Sequence, residues 1–137
     1  MAVEENKAKV HRLVEQLVNK GDLAVVDEIF ATNFVNYSPT TGTTPDREGI
    51  KQLINMMRTA FPDYHNIIED LIAEGDKVAV RVICRGTHRA EFMGIAPTDK
   101  SVEFPAVSIF RFADGKVVER WNIIDNLVLL QQLGGQS

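Results

Sequence analysis

FPAVSIFRFADGKVVERWNIIDNLVLLQQLG, Phe104 to Gly134, is the stretch that decides the fold. Two alternating segments flank Ala113-Asp114-Gly115-Lys116, and a short apolar helical pattern follows directly. Strict alternation over six or more residues marks half-buried strands. The Asp-Gly pair marks a hairpin turn, because glycine adopts a positive φ at little cost. One curved ribbon therefore carries Ser108, Phe110, Arg120, Trp121, Asn122 and Asp125. Polar groups among large apolar ones on such a ribbon line either a pocket or a subunit interface.

Side chains alternate faces along a strand, so the register at the turn decides which residues share a side. A bulge at Gly115 pairs Phe112 with Lys116. Ala106, Ser108 and Phe110 then share a face with Val118, Arg120, Asn122 and Ile124. The other face carries Val107, Ile109, Trp121 and Ile123. A simpler turn pairs Phe112 with Val117 and brings Trp121 and Asp125 beside Ser108. The bulged register is favoured. It leaves an apolar outer patch, which a small domain is expected to cover with a second copy as a homodimer.

Upstream, Val10, Leu13, Val14, Leu17 and Val18 form the stripe of an amphipathic helix over Val3 to Lys20. Gly21 is a natural stop, and Asp22 a natural cap for a helix from Leu23 to Phe30. Phe34 to Tyr37 reads as a short strand. A third helix is expected to start at Thr44-Pro45, to carry Ile50, Leu53, Ile54 and Met57 inward, and to stop before Pro62. From Asn66 the pattern changes to period two. Ile67–Ala73 and Val78–Glu91 read as a hairpin, Val102–Phe112 and Lys116–Ile124 as further strands. Leu127–Leu133 reads as a terminal helix stopped by Gly134-Gly135. Helices first and strands second give an α+β domain spanning residues 1–137. Three helices pack on the concave face of a curved, mostly antiparallel sheet.

The 137 residues carry a formal charge of −4, which argues against nucleic acid or an anionic membrane as partner. Arg85, Arg89, Arg111 and Arg120 are dispersed and form no run. The single cysteine, Cys84, sits in a valine-rich segment and reads as a buried, inert thiol. MAVEENKAKV has no signal-peptide pattern and no apolar run is long enough to span a membrane, so a cytoplasmic protein is expected. His11, His65 and His88 show no ligand spacing with carboxylates, and no metal site is expected.

Several motifs together resemble the SnoaL-like polyketide cyclases, over nearly the whole chain. They are Phe34-Val35-Asn36-Tyr37-Ser38-Pro39, Phe61-Pro62-Asp63, Gly86-Thr87-His88 and Gly94-Ile95-Ala96-Pro97-Thr98. Phe110-Arg111-Phe112, Glu119-Arg120-Trp121-Asn122-Ile123-Ile124-Asp125 and Leu129-Leu130-Gln131-Gln132-Leu133-Gly134 complete the set. That family shares its cone-shaped fold with nuclear transport factor two and ketosteroid isomerase. The resemblance implies a pocket between helices and sheet, and ring closure by an aldol step without metal or organic cofactor. A pocket carboxylate abstracts the proton, its pKa raised by burial, and polar neighbours stabilise the enolate. This chain departs from that pattern. The family often has an acidic residue directly after the strand tryptophan, where Asn122 stands here. Ketosteroid isomerases carry an acid where this chain has Ser108, and a base near Ser38.

Each candidate has competing readings. Asp125 is a general base or the N-cap of the last helix. His88 follows the parity of Val78, Val80, Val82 and Cys84, and is an inward proton donor or a satisfied core residue. Arg120 pairs with a carboxylate, binds an acidic ligand group, or sits solvated at a rim. Asn36, beside Tyr37, binds a ligand oxygen or makes an Asx turn before Pro39. Phe92, Met93, Phe104 and Phe110 are core or pocket wall. The expected activity is proton transfer on a small apolar, oxygenated, polyketide-like molecule. His88 or Asp125 acts as acid/base, while Asn122, Ser108 and Asn36 orient oxygens. The alternatives are a dimeric, non-catalytic binder of a small hydrophobic molecule and an epoxide or ester hydrolase.

Overall fold

The computed structural model describes residues 2–134. Gly135, the second residue of the expected terminal stop, lies outside them. The elements run α1 Ala2–Arg12, a π-helical turn Leu13–Val18, α2 Ala24–Ile29, β1 Phe30–Asn36, α3 Arg47–Ala60, β2 His65–Glu74, β3 Lys77–Thr87, β4 Ser101–Ala113, β5 Lys116–Ile124 and α4 Asn126–Gln132. The strands form one sheet in the order β1-β5-β4-β3-β2. The α+β reading stands, with one addition. β1 runs parallel to β5, so the sheet is mixed at that edge while β2 to β5 are antiparallel. No helix is long and apolar enough to cross a membrane among the described residues.

The core lies between the helices and the inner face of the sheet. Val10, Val26 and Ile29 from the helical side meet Phe30, Val78, Cys84, Phe104 and Val117 from the strands. Phe61 leaves α3 and presses against β3 so closely that a Cβ at Gly86 would lie 2.8 Å from its own Cβ. That approach explains why glycine stands there.

Boundaries shift for identifiable reasons. The first helix is not α-helical to Lys20; it changes to π geometry at Leu13, with Asn19 N–H bonding the Val14 carbonyl. α3 starts at Arg47, not at Thr44-Pro45, because Asp46 is the cap. Its carboxylate accepts the Gly49 N–H at 3.0 Å and the Thr44 hydroxyl proton at 2.6 Å. The first strand starts at Phe30 rather than Phe34. β3 ends at Thr87 rather than Glu91. There Asp63 takes both the Thr87 N–H and its hydroxyl, and the His88 N–H turns to Lys100.

The β4–β5 turn combines both anticipated registers. Asp114 and Gly115 both have positive φ, 51° and 78°, the signature of a two-residue type I′ hairpin. Phe112 accordingly pairs with Val117, as in the simpler turn. The register then shifts, and Arg111 faces Glu119. The extra residue is thus Val118, not Gly115. Beyond the bulge, Phe110 faces Arg120, Ser108 faces Asn122 and Ala106 faces Ile124. Had the ladder continued without it, Trp121 would have faced inward in place of Asn122.

Candidate functional site

The inner faces of β3, β4 and β5, roofed by the first and third helices, enclose a cavity of about 300 Å³. Val80, Val82, Phe104 and Ala106 line it from the sheet, and Ile54 and Met57 from α3. The π-helical turn contributes Leu13, Val14, Leu17 and Val18, all four on the lining. An α-helical turn would spread four such residues round more of the helix; the wider turn holds them towards the ligand space. The loop Ser38–Thr41, Phe92 and the exposed Met93 complete the wall.

Polar groups converge where β4 meets β5. Ser108 Oγ donates to Asn122 Oδ1 at 2.6 Å. Arg120 Nη2 makes a long contact, 3.5 Å, to the same Ser108 oxygen. The Asn122 backbone N–H donates to Ser38 Oγ at 3.0 Å, tying the loop after β1 to the site. Ser108 therefore holds the Asn122 amide by its oxygen and leaves its NH2 free to donate. Ser38, its oxygen already accepting, still has a hydroxyl proton to give.

Arg120 is the sole Lys or Arg on the lining among the described residues. Its guanidinium carbon lies 5.9 Å from the Phe110 ring centre. Its Nη1 is buried without a hydrogen-bond partner among the described residues. Burial pushes its pKa down to about 10, with a small opposing contribution from Tyr64. Tyr64, also on the lining, has its own pKa raised well above 10.0, first by burial and then by Cys84. The Cys84 thiol is pushed up to about 11 by the same burial, which keeps it protonated and unreactive at neutral pH.

Of the residues singled out in the sequence, Phe92, Phe104, Ser108, Phe110, Arg120 and Asn122 come together on this lining. Four lie elsewhere. Asn36 is buried behind the loop, and its Oδ1 accepts the Ser38 N–H at 3.0 Å, an Asx turn. Tyr37 emerges on the outer side of the sheet, stacks on Trp121 at 5.3 Å and donates to Glu119. Asp125 caps α4, its carboxylate accepting the Val128 N–H at 3.1 Å. His88 is fully buried but off the lining, because β3 has already ended and the chain has bent. It packs 5.5 Å from the Phe61 ring and accepts the Thr98 N–H at Nδ1. The Thr98 hydroxyl lies 3.1 Å from the same nitrogen, so His88 holds the segment that follows Phe92 and Met93 in place.

The sequence reading missed Tyr64, Asn66 and Ser38 as lining residues. Tyr64 and Asn66 flank the start of β2, and alternation from Asn66 onward was a usable signal for that asparagine. Ser38 had none, since its place depends on a hydrogen bond to a strand far along the chain. No aspartate, glutamate or histidine lines the cavity among the described residues.

The pattern of the SnoaL-like polyketide cyclase family matches residues 8–133. The chain is 28% identical over 120 residues to nogalonic acid methyl ester cyclase of Streptomyces nogalater, covering 85% of this chain and 88% of that protein. It is similar to the solved structure of AclR from Streptomyces galilaeus, a proposed hydroxylase. There the TM-score is 0.85 and the identity 34%, over 96% of this chain and 97% of AclR. IdmH from Streptomyces antibioticus, a proposed polyketide cyclase, is similar at TM-score 0.82 and 36% identity, over 94% of this chain and 98% of IdmH.

Proposed function

The chain belongs to the SnoaL-like polyketide cyclase family, and on that premise we propose that it closes a ring in an apolar, oxygenated, polyketide-like molecule held in the cavity. One observation carries this reading: donors gathered at Asn122 and Ser38 inside a mainly apolar wall. In an aldol closure a C–H next to a carbonyl loses its proton, and the electron pair moves onto oxygen. The enolate carbon then bonds to a second carbonyl carbon, whose oxygen takes up a proton. Asn122 and Ser38 are suited to donate to the enolate oxygen, while the apolar walls fold the chain and exclude water. With no carboxylate or imidazole on the lining among the described residues, the proton passes to solvent at the mouth. The residues then act by lowering the acidity barrier rather than by taking the proton.

A simple β-diketone, benzoylacetone, tests this. The protein should speed exchange of its α-proton with D2O, read by NMR. The rate should climb with pH with no inflection near about 6.5, where a free imidazole base would titrate. Asn122→Leu should reduce the acceleration about 10- to 100-fold. No acceleration, or an inflection near neutrality abolished by His88→Ala, would overturn the reading.

We also propose that a second copy covers the outer face of the sheet. Val107, Ile109 and Ile123 are exposed there. The charges around them are already closed in pairs, Arg81 with Asp70, Arg85 with Glu103 and Arg111 with Glu119. A charge-neutral apolar centre suits a two-fold contact between like surfaces.

A further inference from the structure

Arg120 leaves a positive charge unanswered inside the cavity. No carboxylate stands beside it among the described residues, and Nη1 is buried with nothing to donate to. Its one side-chain hydrogen bond, to Ser108, is long. A half-buried guanidinium whose Nη1 is kept from water with no partner calls for an anion. Backbone and side-chain contacts fix the position of Arg120. Arg120 sits in the ladder opposite Phe110, its carbonyl accepts the Tyr37 N–H, and Phe110 covers its side chain. An open acceptor lies on the same lining, for a donor elsewhere on the ligand: the Asn66 side-chain oxygen, also buried without a partner among the described residues.

We infer that the ligand is an acid whose carboxylate seats on the Arg120 guanidinium, so that the anion is the anchor of the molecule to be cyclised. The inference rests on the cavity being the ligand site. A carboxylate fits better than a phosphate, because the lining offers one cation and a phosphate dianion would need more. It fits better than a neutral ester, which would leave the guanidinium charge uncompensated. Anchor and reaction centre are then separate: Arg120 fixes one end, while Asn122 and Ser38 attend to the carbonyl oxygen where charge develops. A single anchored end also removes the ambiguity of threading an apolar chain in either direction.

The test is calorimetric titration with naphthoic acid and with methyl naphthoate, which share size and ring but differ in charge. The wild-type protein should bind the acid about 10- to 100-fold more tightly than the ester. Arg120→Met and Arg120→Gln should each abolish that preference while leaving ester binding within about threefold. Arg120→Lys should keep part of it, since it keeps the charge and loses the fork. Equal binding of acid and ester by the wild type, or a preference that survives in Arg120→Met, overturns the inference and leaves the cavity a ligand site. Binding of neither compound overturns both.

Discussion

Arg111 and Arg120 stand on the same hairpin and on opposite faces of it. Arg111, outside, is held by Glu119 and lies 3.6 Å from Asp76. The hydrogen bond to Glu119 raises its pKa. Arg120, inside, has no carboxylate among the described residues and is pushed down to about 10 by burial. The same holds of their neighbours. Outer-face polar groups close on one another, as Tyr37 does on Glu119, whereas the inner face leaves Arg120 Nη1 and Asn66 Oδ1 open. Exposed polar groups close on one another or on water, whereas open, buried ones cost stability unless a partner completes them.

The sharpest way to separate the faces is by truncation. Phe112 is buried in the core and off the cavity lining, so Phe112→Ala should cost about 3–5 kcal/mol. Ile123, 77% exposed on the outer face, should lose no more than about 0.5 kcal/mol as alanine in the free chain. Urea denaturation at low protein concentration measures both. Ile123→Asp should instead act on assembly, converting a dimer to monomer in light scattering. A monomeric wild type would remove the proposed use of that face and leave the contrast in packing intact.

Asn122→Asp attacks the comparison directly, by giving the inner arginine what the outer one already has. Through the Ser108 hydroxyl the new carboxylate lies within reach of Arg120. An internal ion pair would compete with a ligand carboxylate, and affinity for naphthoic acid should fall about tenfold or more. Affinity unchanged from wild type would mean that Arg120 is not where the acid sits.

Much of this contrast was legible in the sequence, and the missing parts have physical causes. Alternation from Val102 to Ile124 was enough for the strands and, given one extra residue, for the faces. The location of that residue was not. Asp114-Gly115 is compatible with more than one turn, and the bulge at Val118 follows from the ladder as a whole. Arg120 was readable as an inward or a rim residue, and parity correctly put it on the face of Ser108 and Phe110. The same logic carried His88 inward, to the core reading and not to the cavity. Asp63, distant in sequence, ends β3 at Thr87, and the chain bends before His88 can reach the lining. The π-helical turn left no trace, since Val10, Leu13, Val14, Leu17 and Val18 satisfy an α-helical stripe equally well. The parallel pairing of β1 with β5 likewise depends on partners far apart in the chain.

Asp125 supplies a smaller test of the boundary between site and scaffold. As the cap of α4, it should lose about 1 kcal/mol on Asp125→Ala and only a few tenths on Asp125→Asn, which preserves the accepting oxygen. α-Proton exchange of benzoylacetone should survive both. Loss of exchange with Asp125→Asn at unchanged stability would move the chemistry to this carboxylate.

The smallest expected effect returns to the outer arginine and is read in acid. The Glu119 carboxyl is held below its ordinary 4.5, first by the Arg111 hydrogen bond and then by that of Tyr37. A folded-state pKa below the unfolded one means that the unfolded chain binds more protons in this range. Stability from this pair is therefore fully present above about pH 4.5 and is lost as pH falls through the folded value. Arg111→Gln should remove the larger share of that acid-side slope, leaving the part due to Tyr37. Because the pair is exposed, the change should be slight and should shrink in high salt. Arg120→Gln should leave the acid-side slope as it is, because no carboxylate stands beside it among the described residues. Thermal melts from about pH 3 to 6 at low and high salt compare the two. A flattened slope in Arg120→Gln would expose a carboxylate partner inside the cavity, and with it an arginine no more in need of a ligand than Arg111.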